Sequence, residues 1–537
     1  PTCGDTIHQP GEQCDDGDDN DNDACTTMCM AAFCGDGFTW AGVEACDDGN
    51  GVDTDACTTA CLPATCGDGF TWAGVEQCDD GNNVDDDACT NACTLPTCGD
   101  GIVQPPEQCD DGNNVDNDGC SNSCTQSNCG DGIVQPPEEC DDANLDQTDG
   151  CTSECFFNGS VIWIRQHHNP LDLDAVASGV ATGPVTDNIV VVGHEDRSSM
   201  GTGLGIWIRK YDPDGNELWT LDTDLSAAND WAVDADMNAA DLVVVTGVTD
   251  NSALGQGLDT WVRAYDAGGG LQWEVVHDSP ASADDVAGDV VFDGSNDVVM
   301  VATEQRPDLG TQGDIVVRKF DVFGNEIWTR RYSTPLDEVA TGVTTDPAER
   351  IYAAGWQSTG PGMANWLLMR WEDVLPGANP TWDLTHAEPA GGFDIARATA
   401  ADLSSFVNIM GRVDHSDLGQ GIDLMGRKYT ADGGLLGFVN HDSGLGDDEG
   451  RCVAVGSLNS TMLVGDVPDP ADPTTRNAYI RRSTDAGTLV WLQGYAGAAG
   501  LDDIAYGVDV DGTDHPVVVG TEETPLGLDL WVGRYAQ

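Results

Sequence analysis

Short acidic side chains recur at alternate positions in the first third of the chain, a spacing suited to binding a hard cation. Asn114, Asp116 and Asp118 are followed by glycine, which matches the opening D-x-[DN]-x-[DN]-G of a calcium-binding loop. Calcium takes six to eight oxygen ligands, so alternating carboxylates on a tight turn suit it. Related tripods are Asp19, Asp21 and Asp23; Asp53 and Asp55, with Gly51 in first place; and Asn83, Asp85 and Asp87. The pattern predicts several calcium sites.

A glutamate two residues before a cysteine accompanies each tripod and could complete its site from the other side. These glutamates are Glu12, Glu44, Glu76, Glu107 and Glu138. The last copy has Leu145, Gln147 and Asp149 at the tripod positions, so we expect it to bind most weakly. The loops are not EF-hands, because the twelfth position counted from Asn114 is Thr125 rather than glutamate. The alternative is that the Asp and Asn side chains only form turns and keep the segment soluble.

The charge of this segment favours cation binding. Residues 1–155 contain 35 Asp and Glu residues and no Lys or Arg. Neighbouring carboxylates repel by about 1 kcal/mol per pair in water, so a bound or condensed cation must supply the counter-charge. The net charge of −73 disfavours nucleic acid and anionic membranes as partners. No apolar run approaches the roughly 20 residues of a membrane span.

Twenty of the 21 cysteines form five copies of the pattern C-x10/11-C-x10-C-x3-C. The copies span 1–31, 32–63, 64–95, 96–126 and 127–155, a period typical of an array of small modules. Modules this short cannot bury a sufficient core, so we expect disulfides to stabilise them and place the chain in an oxidising, extracellular or cell-surface compartment. The cysteines are Cys3, Cys14, Cys25 and Cys29; Cys34, Cys46, Cys57 and Cys61; Cys66, Cys78, Cys89 and Cys93; Cys98, Cys109, Cys120 and Cys124; and Cys129, Cys140, Cys151 and Cys155.

Two bridges per module allow three connectivities, which the sequence does not separate. We expect every bridge to stay within its own module and Cys25 not to bond Cys29. Because the chain opens at residue 1 directly on a repeat with no visible signal peptide, the simplest interpretation is a processed, exported form or a chain given only where it is ordered.

The stretch from Cys98 to Cys109 reads CGDGIVQPPEQC and resembles the myxobacterial-type cysteine-rich repeats. The resemblance covers residues 1–155 and implies a secreted or surface-anchored bacterial protein. Copies two and three depart from it, with Phe-Thr-Trp-Ala-Gly in place of Ile-Val-Gln-Pro around Trp40 and Trp72. The acidic tripods are also similar to thrombospondin type-3 calcium repeats over that short stretch alone.

After a linker at 156–159, the sequence changes to short apolar runs separated by Gly, Asp and Asn turns, typical of many short strands. Units of 53–56 residues align on Ala175, Asp230, Asp285, Glu338, Asp394, Glu449 and Asp503. Each unit supplies three strands and usually a fourth, whose tryptophans are Trp219, Trp273, Trp328, Trp382 and Trp491. Seven such units predict an all-β fold, a seven-bladed β-propeller over 160–537. They resemble propeller repeats of bacterial secreted proteins.

The seventh unit ends at Gln537, before its fourth strand. The missing strand is predicted at the other end of the domain, where residues 160–165 include Trp163. Pairing this strand with the last blade would close the ring and remove an open sheet edge.

The sequence signals for binding sites in the propeller are less specific than the acidic tripods. A recurring third-strand arginine is expected to pair with an acid at a blade boundary, with a ring of anion ligands as the alternative: Arg209, Arg263, Arg318, Arg427 and Arg481. Gly-x-Gly-x-Asp loops could hold calcium or sugar hydroxyls or simply form turns, at Gly257 with Asp259, Gly313 with Asp314, Gly421 with Asp423 and Gly527 with Asp529. Cys452 reads as a buried apolar residue.

The sequence contains no G-x-S-x-G, H-E-x-x-H or P-loop motif, so it favours a non-enzymatic protein. We expect a structural or adhesive, calcium-stabilised repeat array joined to a propeller, with other copies of itself or another surface protein as partners, and a possible role as the subunit of an extracellular fibre. The alternatives are a carbohydrate-binding, lectin-like propeller with glycan partners and an extracellular polysaccharide-acting enzyme.

Overall fold

In a computed structural model the chain forms two compact units, Pro1–Cys155 and Phe156–Gln537. The structure describes residues 3–537 apart from 86, 96, 104, 106, 116–119, 126–128, 130–133, 135–137, 139, 142, 144–150, 152–154, 311, 374–378, 387–391, 416–420, 457, 458 and 498. The first unit consists of turns and isolated bridges, while the second consists of β-sheets. The all-β, seven-bladed fold predicted from the sequence is confirmed.

Each repeat of the first unit is held by two nested disulfides that join the first cysteine to the fourth and the second to the third. The ten bridges are Cys3–Cys29, Cys14–Cys25, Cys34–Cys61, Cys46–Cys57, Cys66–Cys93, Cys78–Cys89, Cys98–Cys124, Cys109–Cys120, Cys129–Cys155 and Cys140–Cys151. Cys25 and Cys29 therefore bond different partners, as expected, and Cys452 is free.

The nested pairing depends on a tight turn between the third and fourth cysteines. In repeat 2 the N–H of Cys61 donates to the carbonyl of Thr58, and Cys61 adopts a left-handed φ of 54°. The fourth cysteine has a positive φ in all five repeats. Consecutive repeats are also linked directly, since the N–H of Ala41 donates to the carbonyl of Asn22 at 2.9 Å.

The second unit contains seven four-stranded antiparallel sheets. Blades 1 to 3 are β2(Ala175–Thr182), β3(Ile189–Asp196), β4(Leu204–Tyr211) and β5(Glu217–Thr223); β6(Asp230–Met237), β7(Val243–Asp250), β8(Leu258–Tyr265) and β9(Leu271–His277); and β10(Asp285–Phe292), β11(Val298–Gln305), β12(Gly313–Phe320) and β13(Glu326–Tyr332). Two short 3-10 helices, Ser198–Met200 and Ser252–Leu254, lie in loops of the first two blades.

The remaining blades follow the same order until the last. Blades 4 to 6 are β14(Glu338–Thr345), β15(Arg350–Gly360), β16(Met363–Glu372) and β17(Trp382–His386); β18(Ile395–Ala401), β19(Val407–Asp414), β20(Ile422–Tyr429) and β21(Leu435–His441); and β22(Glu449–Val455), β23(Thr461–Pro468), β24(Arg476–Ser483) and β25(Leu489–Tyr495). Blade 7 combines β26(Asp503–Val510), β27(Pro516–Thr524) and β28(Gly527–Tyr535) with β1(Val161–His167) from the start of the domain.

The predicted closure of the ring is therefore confirmed. Strand β1 pairs antiparallel with β28, with Trp163 opposite Arg534 and His167 opposite Leu530. Gly159, just before β1, donates its N–H to the carbonyl of Ala536 and adopts a φ of 76°. A Cβ on Gly159 would lie 2.7 Å from the ring of Trp491, so only glycine fits there.

The apolar core lies between adjacent blades. The middle strands are rich in valine and isoleucine and almost fully buried, whereas fourth strands such as β9 alternate exposed and partly buried residues. One core cluster joins Val190 and Ile208 of blade 1 to Val245 and Trp261 of blade 2. Face-to-face packing of twisted sheets thus buries each blade between its two neighbours.

Indole groups of the fourth strands fasten one blade to the next. The Nε1–H of Trp163 donates to the carbonyl of Pro213 at 2.9 Å, in the hairpin between the third and fourth strands of the next blade. The same bond joins Trp219 to Ala267 and Trp273 to Val322. This contact explains why tryptophan recurs with the blade period.

A second link between blades runs from an acidic residue that comes just before an inner strand. Asp284 accepts the N–H of Leu258 from the preceding blade at 3.1 Å, and Asp174 accepts that of Leu528 across the closed ring at 2.9 Å. The buried Asp285 accepts the N–H of Ser279 and so fixes the loop that leads into its blade.

The repeat alignment predicted from the sequence is wrong in one blade. In blade 6 the buried acid that fixes the entry loop is Asp448, which accepts the N–H of Ser443 at 2.6 Å, rather than Glu449. Glu449 is shifted by one residue and projects to the opposite side of the strand. It contacts arginines described below, whereas the aligned Asp285 and Asp503 are fully enclosed.

Candidate functional sites

The first aspartate after the second cysteine organises the backbone of its repeat. In repeat 3, Asp79 accepts the N–H groups of Gly67, Asp68, Gly69 and Gly81 at 2.7–3.2 Å. Asp47 and Asp110 make the equivalent four bonds in repeats 2 and 4. Partial burial tends to raise the pKa of Asp79, but the four donors outweigh it and hold that pKa below its usual value. This residue is structural.

The second aspartate of the pair meets another carboxylate instead. In repeat 1 the carboxylates of Asp16, Asp18 and Asp23 each place an oxygen within 4.8 Å of the others. A hydrogen bond to Asp87 raises the pKa of Asp80. Burial, followed by a hydrogen bond to Asp55, raises the pKa of Asp48. The two carboxylates of each pair lie close enough to repel each other, so a cation could bind between them.

The predicted tripods are only partly assembled in this way. Their third members, Asp23, Asp55 and Asp87, lie at the shared acid pairs. Their middle members cap the turn that precedes the fourth cysteine: Asp21 accepts the N–H of Thr27 at 2.7 Å, Asp53 that of Thr59 at 2.6 Å and Asp85 that of Asn91 at 2.7 Å.

Among the described residues, the first members of the predicted tripods do not lie at the acid pairs. Asn83 and Asn114 lie against the glycines of the neighbouring loop, Gly67 and Gly99, and Asp19 lies against Gly4. Asp116, Asp118 and the fifth-copy positions Leu145, Gln147 and Asp149 lie outside the described residues.

The recurring glutamates belong to a different group from the acid pairs. Glu44 accepts the N–H of Trp40 at 2.8 Å, and Glu76 that of Trp72 at 2.7 Å. Glu12 accepts the N–H of Gln9 at 2.6 Å. Glu44, Glu76, Glu107 and Glu138 each lie within 4.8 Å of the structural aspartate and the disulfide-bonded fourth cysteine of their repeat. The sulfur is not a thiolate, so it offers this group no metal ligand.

In the propeller, the prediction that the recurring arginines pair at blade boundaries is wrong for three of them. Arg263 pairs with Glu274 at 2.6 Å on the fourth strand of its own blade. Arg209 and Arg318 likewise reach Glu217 and Glu326, each at 3.4 Å. The other two have different neighbours: Arg427 contacts His386 of the preceding blade, and Arg481 donates to Ser483. They form no ring of anion ligands.

The acids of the Gly-x-Gly-x-Asp loops are engaged by local partners. Asp259 accepts from the side chain of Asn251 at 2.7 Å, and Asp314 from Ser333 at 2.8 Å. Asp423 and Asp529 pair with the histidines His415 and His168 at 2.5 and 2.6 Å. Gly257 and Gly421 have φ values of 77° and 84°, which the turns require. These contacts favour a structural role for the loops.

The inner strands enclose a central cavity of about 660 Å³ that the sequence did not predict. Every inner strand carries a bulge, at its fourth residue in five blades and at its third residue in β18 and β22. The bulged residue of every blade lines the cavity. These residues are Ser178, Val233, Gly288, Thr341, Arg397, Arg451 and Tyr506. Residues about 55 positions apart thus form one ring, a relation that becomes visible only once the bulge is known.

Four aspartates line a neighbouring part of the cavity. Asp236, Asp289 and Asp509 accept backbone N–H groups from the next blade at 2.6–2.8 Å. Burial, together with the neighbouring Asp289, holds the pKa of Asp234 well above its usual value, so this pair shares a proton. Burial raises the pKa of Asp236 to about 7. These acids join blades and carry less negative charge than their number suggests.

Positively charged side chains also lie at this cavity, where three arginines surround Glu449. Arg397 and Arg451 lie 3.4 and 3.6 Å from its carboxylate, and Arg412 contacts it directly. Arg451 also pairs with the buried Asp466 at 2.5 Å and lies over the ring of Tyr506 at 4.9 Å. Burial tends to raise the pKa of Glu449, but Arg451, Arg412 and Arg397 hold it below its usual value.

Cys452 follows the bulged Arg451 and lines the cavity. Its thiol lies 3.8 Å from the carbonyl of Val508, and burial raises its pKa to about 12. A thiol with this pKa is not a nucleophile at neutral pH, which agrees with its interpretation as an apolar residue.

Comparison with known proteins identifies the repeats but not the whole chain. Residues 90–125 and 121–156 match the family described as Domain of unknown function (DUF4215). These matches cover the fourth and fifth repeats.

Several solved structures are similar to the chain at low sequence identity. The Swd1 β-propeller domain of Myceliophteria thermophila is 10% identical, with a TM-score of 0.41, and the alignment covers 70% of this chain and 100% of that one. An α-L-arabinanase of Penicillium chrysogenum is 8% identical, with a TM-score of 0.41, covering 57% and 93%. A gluconolactonase of Xanthomonas campestris is 14% identical, with a TM-score of 0.32, covering 68% and 87%. Within the part of the chain that the structure describes, no helix has the length and apolarity needed to cross a membrane.

Proposed function

We propose that the chain is a non-enzymatic, secreted or cell-surface protein in which calcium stabilises an array of disulfide-bonded repeats joined to a β-propeller. The role we infer is structural or adhesive, in contact with other copies of itself or another surface protein, and the subunit of an extracellular fibre is one form of it. The repeats, with their resemblance to the myxobacterial-type cysteine-rich repeats, support an exported bacterial protein. The ten disulfides support an oxidising compartment.

The acid pairs carry the calcium part of this proposal. Three successive repeats bring together Asp16 with Asp23, Asp48 with Asp55, and Asp80 with Asp87, in a segment without a single basic residue. Asp55 Oδ1 is buried and has no hydrogen-bond partner among the described residues. An oxygen ligand of this kind suits calcium, which would remove the repulsion between the paired carboxylates.

The cavity acids support a non-enzymatic propeller. A polysaccharide-cleaving pair needs two carboxyl groups separated by about 5–9 Å and free to reach the substrate. Asp289 and Asp509 instead accept backbone bonds that join blades, and Asp234 contacts Asp289 directly. Their geometry is that of structural links.

Calorimetry of the full chain with calcium chloride tests the proposal. We expect uptake of about three calcium ions per chain or more at millimolar concentration, because each acid pair offers carboxylates that no basic side chain neutralises. Calcium at a hundredfold excess over the dissociation constant should raise the free energy of unfolding by about 2.7 kcal/mol per site. Asp48→Asn and Asp80→Asn together should lower the stoichiometry by two.

A matched control is Asp214→Asn, which removes one exposed carboxylate from a propeller hairpin and should leave the stoichiometry unchanged. Absence of calcium uptake by the unmodified chain, and a melting temperature insensitive to a chelator, would refute the calcium proposal. Electron microscopy of the native particle with and without chelator then tests assembly into fibres.

A further inference from the structure

Basic side chains concentrate at one place in a chain that has few of them. The chain contains 21 Lys and Arg residues against 94 Asp and Glu residues. Yet Arg397, Arg412 and Arg451 surround the single carboxylate of Glu449, and Arg451 shares Asp466 with Arg476. Within the part of the chain that the structure describes, four guanidinium groups thus share two carboxylates. A network that only neutralised itself would need one carboxylate for each guanidinium, so this cluster has unused positive charge.

The unused charge faces the central cavity. Arg397 and Arg451 are the bulged residues of blades 5 and 6, and both line the cavity wall. The side chain of Arg397 is 35% exposed, its ion pair with Glu449 is long, and its Nε is buried without a hydrogen-bond partner among the described residues. A guanidinium has five N–H donors in a planar fork, so Arg397 can donate to a further oxyanion.

We propose that this part of the cavity binds the carboxylate or sulfate group of a saccharide-sized anionic ligand. The cavity volume of about 660 Å³ falls within the range of small-molecule sites. Tyr506, which lies against Arg451, and the partly buried Trp231, which also lines the cavity, supply flat aromatic surfaces for the body of such a ligand. Ser178 and Thr341, also bulged residues, add hydroxyl groups to the ring.

The neighbouring aspartates do not prevent anion binding. Asp289 and Asp509 are engaged by backbone N–H groups of the next blade. Burial and the contact with Asp289 favour the protonated form of Asp234, as its raised pKa indicates. The site is independent of the calcium proposal, since every residue in it belongs to the propeller.

Isothermal titration of the full chain at low ionic strength tests the site with D-glucuronate, D-galactose 6-sulfate and, as the neutral control, D-glucose. We expect the two anionic sugars to bind and glucose not to bind. Arg397→Gln should weaken binding of the anionic sugars about tenfold or more, because one charge-assisted pair is lost. Arg481→Gln removes the same charge from a third strand outside the cavity and should leave the affinity unchanged.

If Arg397→Gln does not fold, Arg397→Lys provides the second variant, because it keeps the charge and loses only the fork. It should bind the anionic sugars more weakly than the unmodified chain while retaining its melting temperature. Absence of binding by both anionic sugars, equal binding of glucose, or equal loss in Arg397→Gln and Arg481→Gln would overturn the proposal. None of these outcomes depends on calcium uptake by the repeats.

Discussion

Two adjacent aspartates in the second and third repeats have opposite effects on the stability of their repeat. Asp79 accepts four backbone N–H groups and is stabilised as a carboxylate, whereas Asp80 lies against Asp87 and is stabilised when protonated. The sequence shows both as one Asp-Asp pair. Their difference depends on which way each side chain points from a turn, which no local pattern encodes.

We expect Asp79→Asn to lower the melting temperature of the calcium-free chain at pH 7, and Asp80→Asn to raise it. The lowered pKa of Asp79 means that its contribution is present above its unfolded pKa and lost as the pH falls through its folded pKa. The raised pKa of Asp80 has the opposite effect. As the pH rises through the folded pKa, Asp80 loses its proton, its repulsion with Asp87 grows and the folded chain is destabilised. Thermal unfolding with a chelator, at pH 7 and pH 4, measures both. Equal shifts for the two variants would contradict the assignment.

Cys452 is expected to be the only thiol and to be unreactive in the folded chain. Burial raises its pKa to about 12, so almost no thiolate forms at pH 8. Iodoacetamide should label no cysteine of the native protein and one per chain after denaturation without reductant. Intact-mass spectrometry counts the labels. Two or more labels would show that one of the ten disulfides is not formed.

At the scale of single elements, much of the propeller was predictable because its strands repeat their chemistry. The fourth-strand tryptophan marks the hydrogen bond from its indole to the next blade, and the buried acid marks the entry loop, so both recur with the blade period. No single residue type marks the bulge of the inner strands, so the bulge cannot be recognised from the sequence. Arg397 and Arg451 therefore do not stand out in the sequence as cavity residues. The alignment on Glu449 instead of its true equivalent, Asp448, has another cause, because Asp447, Asp448 and Glu449 are three consecutive acids.

The indole bonds between blades give an element-scale prediction. Trp273→Phe removes the hydrogen bond to the carbonyl of Val322 and should cost about 1 kcal/mol of unfolding free energy beyond the lost apolar area. Trp491→Phe is the matched control, because the Nε1 of Trp491 has no hydrogen-bond partner among the described residues. Denaturant unfolding of both variants measures the difference. A loss in Trp491→Phe as large as that in Trp273→Phe would show that the indole bond does not hold the blades.

On the scale of the whole molecule, the period and the cysteine count were enough to predict two units of different construction. The cavity could not be predicted, because its ring is assembled from one residue of each blade and none of these residues stands out in its own strand. The same holds for the arginine cluster, which combines β18, β19, β22, β23 and β24. Both features therefore depend on the packing of blades against one another, which brings together residues that lie far apart in the sequence.

Ring closure itself gives the last prediction. Gly159 packs on Trp491 as Gly215 packs on Trp163 and Gly324 on Trp273, so the chain before β1 takes the place of the hairpin that the other blades contain. Deleting residues 156–165 should therefore remove both the fourth strand of blade 7 and its contact with blade 6. We expect a lower melting temperature, by about 2–4 °C for each kcal/mol lost, and self-association through the exposed edge of β28.

Hydrogen exchange locates the effect of this deletion within the ring. Amides of β28 around Leu530 and Val532 should lose protection, while those of β24, which remains covered by β25, should lose less. The comparison within one molecule separates opening at the closure from general destabilisation. A deleted chain that stays monodisperse, with an unchanged melting temperature and equal protection of β24 and β28, would show that β1 does not close the ring.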